Sequence, residues 1–369
     1  MKILILTYSF LPDIGGTEMV ANDYATILLE KGHDVTVMSK SYPNSQIDFP
    51  FKHIQVPNVF GESLWLLNFC LYIRRANLNQ YDCIILNQCH TPLVAGRFFS
   101  EEIFAKTITL IQGLEVESIY KPSNSFFKKF YCKLVHHDFY HRKCLASCRK
   151  VVSVSEFHKN KVINAATLEK YSNKFQVVYT GIDKDVFKRV KSDFKLKNGL
   201  ERNEVLMSVS RIDRMKGYDE MLEIFRRLIC IDNHFVWVII GDGSYYDTLK
   251  DKIEEYSLRN HILLLGKRNR EELKYYYSAA DCFWLLSNYD ECLPLVYLEA
   301  QSCGLPVVGR NKGGVVETIL DKQTGFLVNN DDECLYVLKN KLYKSIQIEK
   351  MYEYLKGFNK YEASDKLLI

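Results

Sequence analysis

Residues 2–39, KILILTYSFLPDIGGTEMVANDYATILLEKGHDVTVMS, decide the fold. Apolar strands are predicted at 2–7 and 34–39, and the residues between them place apolar side chains on one face of a helix that Gly32 ends. A strand, a helix and a second strand in this order form a complete βαβ unit, the building block of a parallel sheet. The stretch therefore predicts an α/β fold.

The same alternation continues to the end of the chain, which has 369 residues. Helical patterns separate further apolar strands, predicted at 82–87, 107–111, 150–154, 175–179, 205–210, 235–240, 262–265, 282–286, 306–308 and 326–328. A polar stretch at 184–203 is typical of a hinge between two such series. We predict two Rossmann-like domains, each with a doubly wound parallel sheet, that face each other across a cleft and bind ligands at the carboxyl ends of their strands.

Composition and charge exclude several classes of protein. With 47% hydrophobic and 25% charged residues, the chain is typical of a globular protein. Its formal net charge of +4 is too small to indicate a nucleic-acid binder. The 11 cysteines lack the paired spacing of a zinc site, and no apolar run reaches the ~18 residues of a membrane span. We expect a cytoplasmic protein with reduced thiols and without a metal site.

Two glycines separate the first strand from its helix. At Gly15-Gly16, a phosphate could approach the backbone N–H groups at the positive end of the helix dipole. The surrounding residues match neither the dinucleotide-binding fingerprint nor the P-loop. The pair is therefore either a phosphate contact or only a tight turn.

Two cations follow the strand predicted at 205–210. Arg211 and Lys216 precede Gly217 and a helix. A guanidinium can bind two phosphate oxygens at once and an ammonium adds a compact charge, so the two suit a leaving nucleotide diphosphate without a metal. The alternative is a solvated helix cap.

The segment at 287–308, SNYDECLPLVYLEAQSCGLPVV, carries two carboxylates near a predicted helix. Pro294 marks the start of that helix and Gly304 its end. Glu291 then precedes the helix, and Glu299 lies ~7.5 Å along its axis. An elongated ligand could contact both, in the order sugar, diphosphate, ribose. A catalytic acid and base, or a solvated glutamate, are the alternatives.

These residues resemble the signature of glycosyltransferase family 4, the retaining nucleotide-sugar enzymes with the GT-B fold. The resemblance covers most of the chain, and its most specific part is the E-x7-E run at Glu291 and Glu299. It implies an acceptor-binding domain over 1–183, a nucleotide-sugar-binding domain over 184–350, and a C-terminal helix within 351–369 that packs back on the first domain. Further matching segments are Gly15-Gly16-Thr17-Glu18, Lys31-Gly32-His33-Asp34-Val35, Gly181-Ile182-Asp183, Ser210-Arg211, Lys216-Gly217, Gly241-Asp242-Gly243, Gly313-Gly314 and Thr324-Gly325-Phe326-Leu327-Val328.

The resemblance also implies roles for individual residues. Transfer would be a front-face substitution in which the leaving phosphate helps to deprotonate the acceptor, so no side-chain nucleophile, cofactor or metal is needed. Arg211 and Lys216 would bind the diphosphate, Glu299 the ribose and Glu291 the donor sugar. The implied catalytic residues are Glu291, Arg211 and Lys216. Further donor-binding residues are Gly16, Leu293, Leu295 and Glu299. The residues on the acceptor side are Gln112 and Glu115.

The chain departs from the family pattern at three positions. Pro294 lies in a Cys-Leu-Pro run where many members carry Gly-Phe-Gly, and a proline has no N–H to offer the donor. Gln112 replaces a commoner histidine near the acceptor, which leaves a proton-transfer role at this position open. Thr180 replaces a usual asparagine with no obvious chemical consequence.

A basic, aromatic segment at 121–150 predicts an anionic membrane surface as one partner. It holds eight Lys or Arg residues against a single acid, interleaved with six Phe and Tyr residues. Peripheral binding to the inner face of the membrane would follow. A solvated face over core aromatics is the alternative, and we recognise no nucleic-acid-binding module.

For the whole chain, we expect sugar transfer from a nucleotide-diphosphate-sugar to a hydroxyl of a glycan or lipid-linked glycan. Cell-surface polysaccharide, lipopolysaccharide or glycolipid biosynthesis is the expected setting. Another GT-B enzyme, such as a phosphorylase or a nucleotide-sugar epimerase, and a non-catalytic sugar-nucleotide-binding protein are the alternatives.

Overall fold

The computed structural model describes residues 1–13, 15–43, 47–60, 65–113, 115–121 and 135–369. These residues divide into two compact units, Met1–Thr180 together with Lys360–Ile369, and Gly181–Asn359. The first boundary lies three residues before the expected one at 183, and residues 351–359 fall in the second unit.

The described residues of the first unit form a seven-stranded parallel sheet with the strand order β3-β2-β1-β4-β5-β6-β7. Its strands are β1 (Lys2–Leu6), β2 (Asp34–Lys40), β3 (Lys52–Val56), β4 (Cys83–Leu86), β5 (Thr107–Ile111), β6 (Lys150–Ser153) and β7 (Phe175–Val177). Its helices are α1 (Gly16–Glu30), α2 (Trp65–Arg75), α3 (Thr91–Phe98), α4 (Glu101–Phe104), α5 (His137–Ser147) and α6 (Glu156–Ala166).

The second unit forms a six-stranded parallel sheet with the order β10-β9-β8-β11-β12-β13. Its strands are β8 (Glu204–Val209), β9 (Phe235–Ile240), β10 (Ile262–Leu264), β11 (Cys282–Leu285), β12 (Val307–Arg310) and β13 (Gly325–Val328). Its helices are α7 (Phe194–Lys197), α8 (Tyr218–Ile231), α9 (Tyr246–Glu255), α10 (Leu273–Ala279), α11 (Leu295–Ser302), α12 (Asp331–Lys339) and α13 (Ile348–Tyr354). The prediction of two doubly wound parallel sheets is therefore confirmed.

A last helix, α14 (Lys360–Leu368), belongs to the first unit. Its Ala363 and Leu367 are buried in the same core cluster as residues of β1 and α1. At the end of α1, Lys31 forms an ion pair of 2.5 Å with Asp365. The first unit is thus completed by residues from the far end of the sequence.

Burial explains which strands could be predicted. Every residue of β8 and β9 is buried, as expected for inner strands covered on both faces, so β9 is a continuous apolar run and β8 is mostly apolar. β3 was not predicted because it is an edge strand whose Lys52, His53 and Gln55 are partly exposed, which hides the apolar pattern. No described helix combines the length and apolar character needed to cross a membrane.

Both sheets have a point where the strand order reverses, between β1 and β4 and between β8 and β11. Ligands of doubly wound folds bind beyond the carboxyl ends of the strands at such points. Gly16 begins α1 directly after the loop that follows β1, and the loops after β8 and β11 carry Arg211 and Glu291. The topology of each unit therefore places predicted site residues where a ligand would bind.

Candidate active site

An ion pair between Lys216 and Glu291 lies at the strand-order reversal of the second unit. Nζ of Lys216 is 2.6 Å from Oε1 of Glu291, and the Ser287 hydroxyl donates a 2.7 Å hydrogen bond to the same oxygen. The two side chains are 16% and 17% exposed, so the pair is shielded from bulk water but accessible to a ligand. Because β8 and β11 are neighbours, their loops bring together residues 75 positions apart.

The turn that presents Lys216 depends on local capping and a glycine. Residues Arg214–Lys216 form a 3-10 turn, and the Asp213 carboxylate accepts a hydrogen bond from the N–H of Met215 at its start. Gly217 has a φ of +79°, and a Cβ there would lie 2.1 Å from the carbonyl oxygen of Leu286. Only glycine allows the turn to approach the end of β11 this closely.

Arg211 lies on the surface of the same loop. Its side chain is 71% exposed, and its Nε and Nη2 donate to one carboxylate oxygen of Asp213 at 3.1 and 3.0 Å. The Gly-Asp-Gly segment supports this loop, because a Cβ on Gly241 would lie 1.9 Å from the carbonyl oxygen of Ser210. The guanidinium is oriented by one acid and keeps further N–H donors for an anion.

The second glycine pair supports the loop of Glu291. The N–H of Gly314 donates a 2.7 Å hydrogen bond to the carbonyl of Glu291. A Cβ on Gly314 would lie 1.9 Å from the carbonyl oxygen of Cys292, and Gly313 has a φ of +59°. The two glycines therefore pack closely against the loop that carries Glu291 and support its backbone.

Glu299 is a buried acid within α11, which begins directly after Pro294 as predicted. Its Oε1 lies 3.7 Å from Nη2 of Arg270, and the Tyr277 hydroxyl donates a long hydrogen bond of 3.5 Å to its Oε2. Burial raises the pKa of Glu299, and Arg270 and Tyr277 only partly oppose this effect. A buried carboxylate with weak partners gains from ligand groups that donate hydrogen bonds, such as a pair of hydroxyls.

In the first unit, Gly16 is the exposed first residue of α1. A Cβ on Gly16 would meet no other atom within 4 Å, so no packing contact requires a glycine there. The carbonyl of the next residue, Thr17, accepts a 3.1 Å hydrogen bond from the amide of Asn87, which follows β4. The helix start is thus fixed to a neighbouring strand while its outer side stays open.

Gln88, which the sequence analysis missed, joins the loop after β1 to α1. Its Oε1 accepts hydrogen bonds of 3.0 Å from the N–H groups of Tyr8 and Ser9. Its Nε2 donates to the side chains of Thr17 and Glu18 at 3.1 and 2.8 Å. Its φ of +69° is uncommon for a residue other than glycine, and such backbones concentrate at functional sites. A lone glutamine belongs to no motif, so no sequence signal identifies it.

Glu115 organises the loop of Gln112 from beneath. Its buried carboxylate accepts hydrogen bonds from the N–H groups of Gln112 and Gly113 at 3.1 and 3.0 Å and lies 2.8 Å from Nε2 of His158. Burial favours the neutral acid, but the charge and hydrogen bond of His158 and the amide of Gln112 outweigh it and hold the pKa of Glu115 at about 2. The Gln112 side chain in turn donates to the side-chain oxygen of Asn87. The fully buried carboxylate of Glu115 therefore fixes the backbone of the loop that carries Gln112.

Comparison with known proteins matches two family models to this chain. "Glycosyltransferase Family 4" matches residues 14–186, and "Glycosyl transferases group 1" matches residues 190–356. The chain belongs to the family-4 glycosyltransferases.

This glycosyltransferase has relatives of similar length. N-acetyl-alpha-D-glucosaminyl L-malate synthase of Bacillus anthracis is 25% identical over 352 residues, 90% of this chain and 84% of that protein. Anabaena Alr3699/HepE, solved in complex with UDP and glucose, matches 99% of this chain and 98% of its own at 18% identity and a TM-score of 0.76. WaaG, a glycosyltransferase involved in lipopolysaccharide biosynthesis, matches the same shares at 18% identity and a TM-score of 0.73. These structures show that the glycosyltransferase has the GT-B fold.

The predicted donor residues of the glycosyltransferase differ in whether they contact one another. Lys216 and Glu291 are in direct contact. Arg211 and Glu299 each contact other side chains. The two leucines predicted for the donor site flank Pro294 and are half-buried: Leu293 and Leu295. In the described part of the chain, no three His, Cys, Asp or Glu side chains cluster as metal ligands would, and a metal-independent reaction stays a prediction.

Proposed function

We propose that this glycosyltransferase is a retaining enzyme that transfers a sugar from a nucleotide-diphosphate-sugar to a hydroxyl acceptor. The contact of Lys216 with Glu291 at the strand-order reversal carries the proposal, because it sets a phosphate-binding cation beside a hydroxyl-binding carboxylate. Arg211 adds an exposed cation on the same loop. The complex of HepE with UDP and glucose supports a donor of this class.

The proposed reaction needs positioning and charge neutralisation more than acid and base groups. The bond between the sugar carbon and the leaving phosphate oxygen breaks, and the acceptor oxygen bonds to that carbon on the same face. The acceptor proton passes to the leaving phosphate. Arg211 and Lys216 stabilise the charge that develops on the diphosphate without a metal or other cofactor. Glu299 binds the ribose hydroxyls, Glu291 the donor sugar, and the backbone at Gly16 approaches the phosphates.

The proposed acceptor is a glycan or lipid-linked glycan of cell-surface polysaccharide, lipopolysaccharide or glycolipid biosynthesis, handled at the cytoplasmic face of a membrane. The part played by WaaG in lipopolysaccharide biosynthesis supports this setting. Residues 122–134 of the predicted membrane segment lie outside the described residues. In the described part, Phe139 on α5 is 58% exposed. Arg149 and Lys150 instead donate to the carbonyls of Leu368 and Lys366, and the burial of Lys150 removes it from the proposed membrane face.

A panel of nucleotide-sugars in a thermal-shift assay tests the proposal. A donor at ~100 times its dissociation constant adds ~2.7 kcal/mol to the free energy of unfolding. Donors that raise the melting temperature are then incubated with glycan and glycolipid acceptors, and the anomeric configuration of the product is read by NMR. Donor epimerised without acceptor would favour an epimerase. Inverted product would exclude a retaining enzyme, and donor binding without any transfer or hydrolysis would favour a binding protein.

A further inference from the structure

A pocket of about 270 Å³, partly open to solvent, lies in the first unit outside the residues predicted above. Its walls come from the carboxyl ends of three neighbouring strands: Tyr8 follows β1, Lys40 ends β2 and Val56 ends β3. Trp65, the first residue of α2, forms another wall. This volume includes open solvent at the mouth of the pocket, so the pocket has room for one small ring and no larger ligand.

The aromatic wall of the pocket is fixed by ring contacts. The ring of Trp65 lies 5.0 Å from that of Tyr8, 6.4 Å from that of Phe69 and 4.8 Å from that of His90. Trp65 remains partly exposed. An indole held in this way offers a rigid apolar surface with a polar edge, which suits a ligand that has both apolar C–H faces and polar groups.

The polar wall offers hydrogen-bond donors. Asn68 donates a 2.9 Å hydrogen bond to the side-chain oxygen of Asn58, so the NH2 half of the Asn58 amide is the half that a ligand can use. Nζ of Lys40 lies 3.0 Å from the Asp13 carboxylate and 5.5 Å from the ring centre of Tyr8. Because this cation is already paired, it supplies N–H donors with little uncompensated charge, which favours neutral hydroxyls over acids.

We propose that this pocket binds a neutral pyranose ring of the acceptor. The inference rests on the proposed function and narrows it, since the acceptor is then a glycoside and not a bare lipid or a sugar acid. The ring packs on Trp65 and Tyr8 while its hydroxyls accept hydrogen bonds from Lys40 and Asn58. Tyr8 lies in the segment between β1 and α1, so it connects the pocket with the helix start at Gly16. Its N–H donates a hydrogen bond to Gln88.

Tryptophan fluorescence reports on this pocket selectively. The chain has three tryptophans, and Trp237 and Trp284, both in the second unit, are fully buried. Titration with neutral methyl hexosides should give a saturating change in emission, and Trp65→Phe should abolish it. Lys40→Met and Asn58→Ala should weaken binding by roughly tenfold each, the effect of losing ~1.4 kcal/mol. Leu67→Ser, on the exposed side of α2, is the matched control and should bind like the wild type.

Two further probes decide the ligand class. Methyl hexuronides should bind more weakly than the hexosides, and short alkyl phosphates should not bind. Stronger binding of the acid, a response to alkyl phosphate alone, or no response to any hexoside would overturn the inference. Nucleotide-sugar binding, measured separately by thermal shift, should be unchanged in Lys40→Met and Asn58→Ala. A wild type that binds hexosides but no nucleotide would instead contradict the proposed function.

Discussion

Nζ of Lys216 lies 2.6 Å from Oε1 of Glu291, so two residues assigned to different parts of the donor satisfy each other's charge. A diphosphate that draws Lys216 away leaves the Glu291 carboxylate with only the Ser287 hydroxyl among these partners. The carboxylate then gains from accepting a sugar hydroxyl. In the proposed function, phosphate binding and sugar recognition are therefore coupled through this pair.

Loss of either cation should slow transfer. Arg211→Ala and Lys216→Ala should each lower kcat/KM by roughly 10- to 150-fold, the effect of losing ~1.5–3 kcal/mol from a charge-assisted hydrogen bond. Arg211 is 71% exposed, so its variant should melt like the wild type. Lys216→Ala should melt earlier because Glu291 loses its ion pair. Initial rates and thermal melts provide the test, and wild-type kinetics in both variants would contradict the diphosphate assignment.

Removal of the Glu291 charge should separate binding from turnover. Glu291→Gln should bind nucleotide diphosphate at least as tightly as the wild type, because Lys216 no longer has to leave a carboxylate. It should lose turnover or sugar discrimination, since an interaction with the developing positive charge of the sugar is felt mainly in the transition state. Calorimetry with the nucleotide diphosphate and transfer rates measure the two effects. Intact turnover would show that Glu291 does not contact the reacting sugar.

Glu299→Gln should gain stability and lose nucleotide affinity. Burial raises the pKa of Glu299, so the wild type loses free energy of unfolding as the pH rises above the ordinary value of 4.5. At pH 7 the neutral variant should melt higher by roughly 2–4 °C, the shift that ~1 kcal/mol gives in a domain of this size. The difference should vanish at lower pH, and calorimetry should show weaker binding of free nucleotide diphosphate. Unchanged nucleotide binding would contradict the ribose assignment.

Glu115→Gln should destabilise the first unit in a pH-dependent way. The pKa of Glu115 falls from 4.5 to about 2, so its stabilising effect is complete above pH 4.5 and is lost between pH 4.5 and 2. At pH 7 the variant should lose about 3 kcal/mol, because His158 is left buried without its ionic partner. Denaturant unfolding at several pH values measures this. Glu117→Gln, which removes a half-exposed ion pair with Lys161, is the control and should lose less than about 1 kcal/mol.

Two glycine substitutions should differ in their effects on stability and on donor binding. Gly16→Ala should leave the melting temperature nearly unchanged, because the new Cβ meets no atom within 4 Å, yet it should raise the KM for donor if a phosphate approaches this backbone. Gly314→Ala should lower both stability and turnover, because its Cβ would lie 1.9 Å from the carbonyl oxygen of Cys292 and would displace the Glu291 loop. A normal donor KM for Gly16→Ala would leave Gly16 as a tight turn only.

The sequence predicts the fold where periodicity is strong and the site where residues follow predicted strands. Lys216 and Glu291 could be selected because each follows a strand, but their contact depends on β8 and β11 being neighbours, which no local pattern specifies. The edge strand β3 was not predicted because its partly exposed side chains break the apolar run. Arg270 and Gln88 were not predicted as site residues either, since each acts through a side-chain contact with a residue distant in the sequence.

The return of α14 to the first unit sets the order in which the protein can fold during synthesis. The ribosome makes β1 to β7 first and then the whole second unit before it makes Lys360–Ile369. Until then, the core around β1 lacks Ala363 and Leu367, and Lys31 lacks Asp365. The second unit can complete its core while the first still waits for its last helix. Of the two units, the first is therefore begun before the second and completed after it.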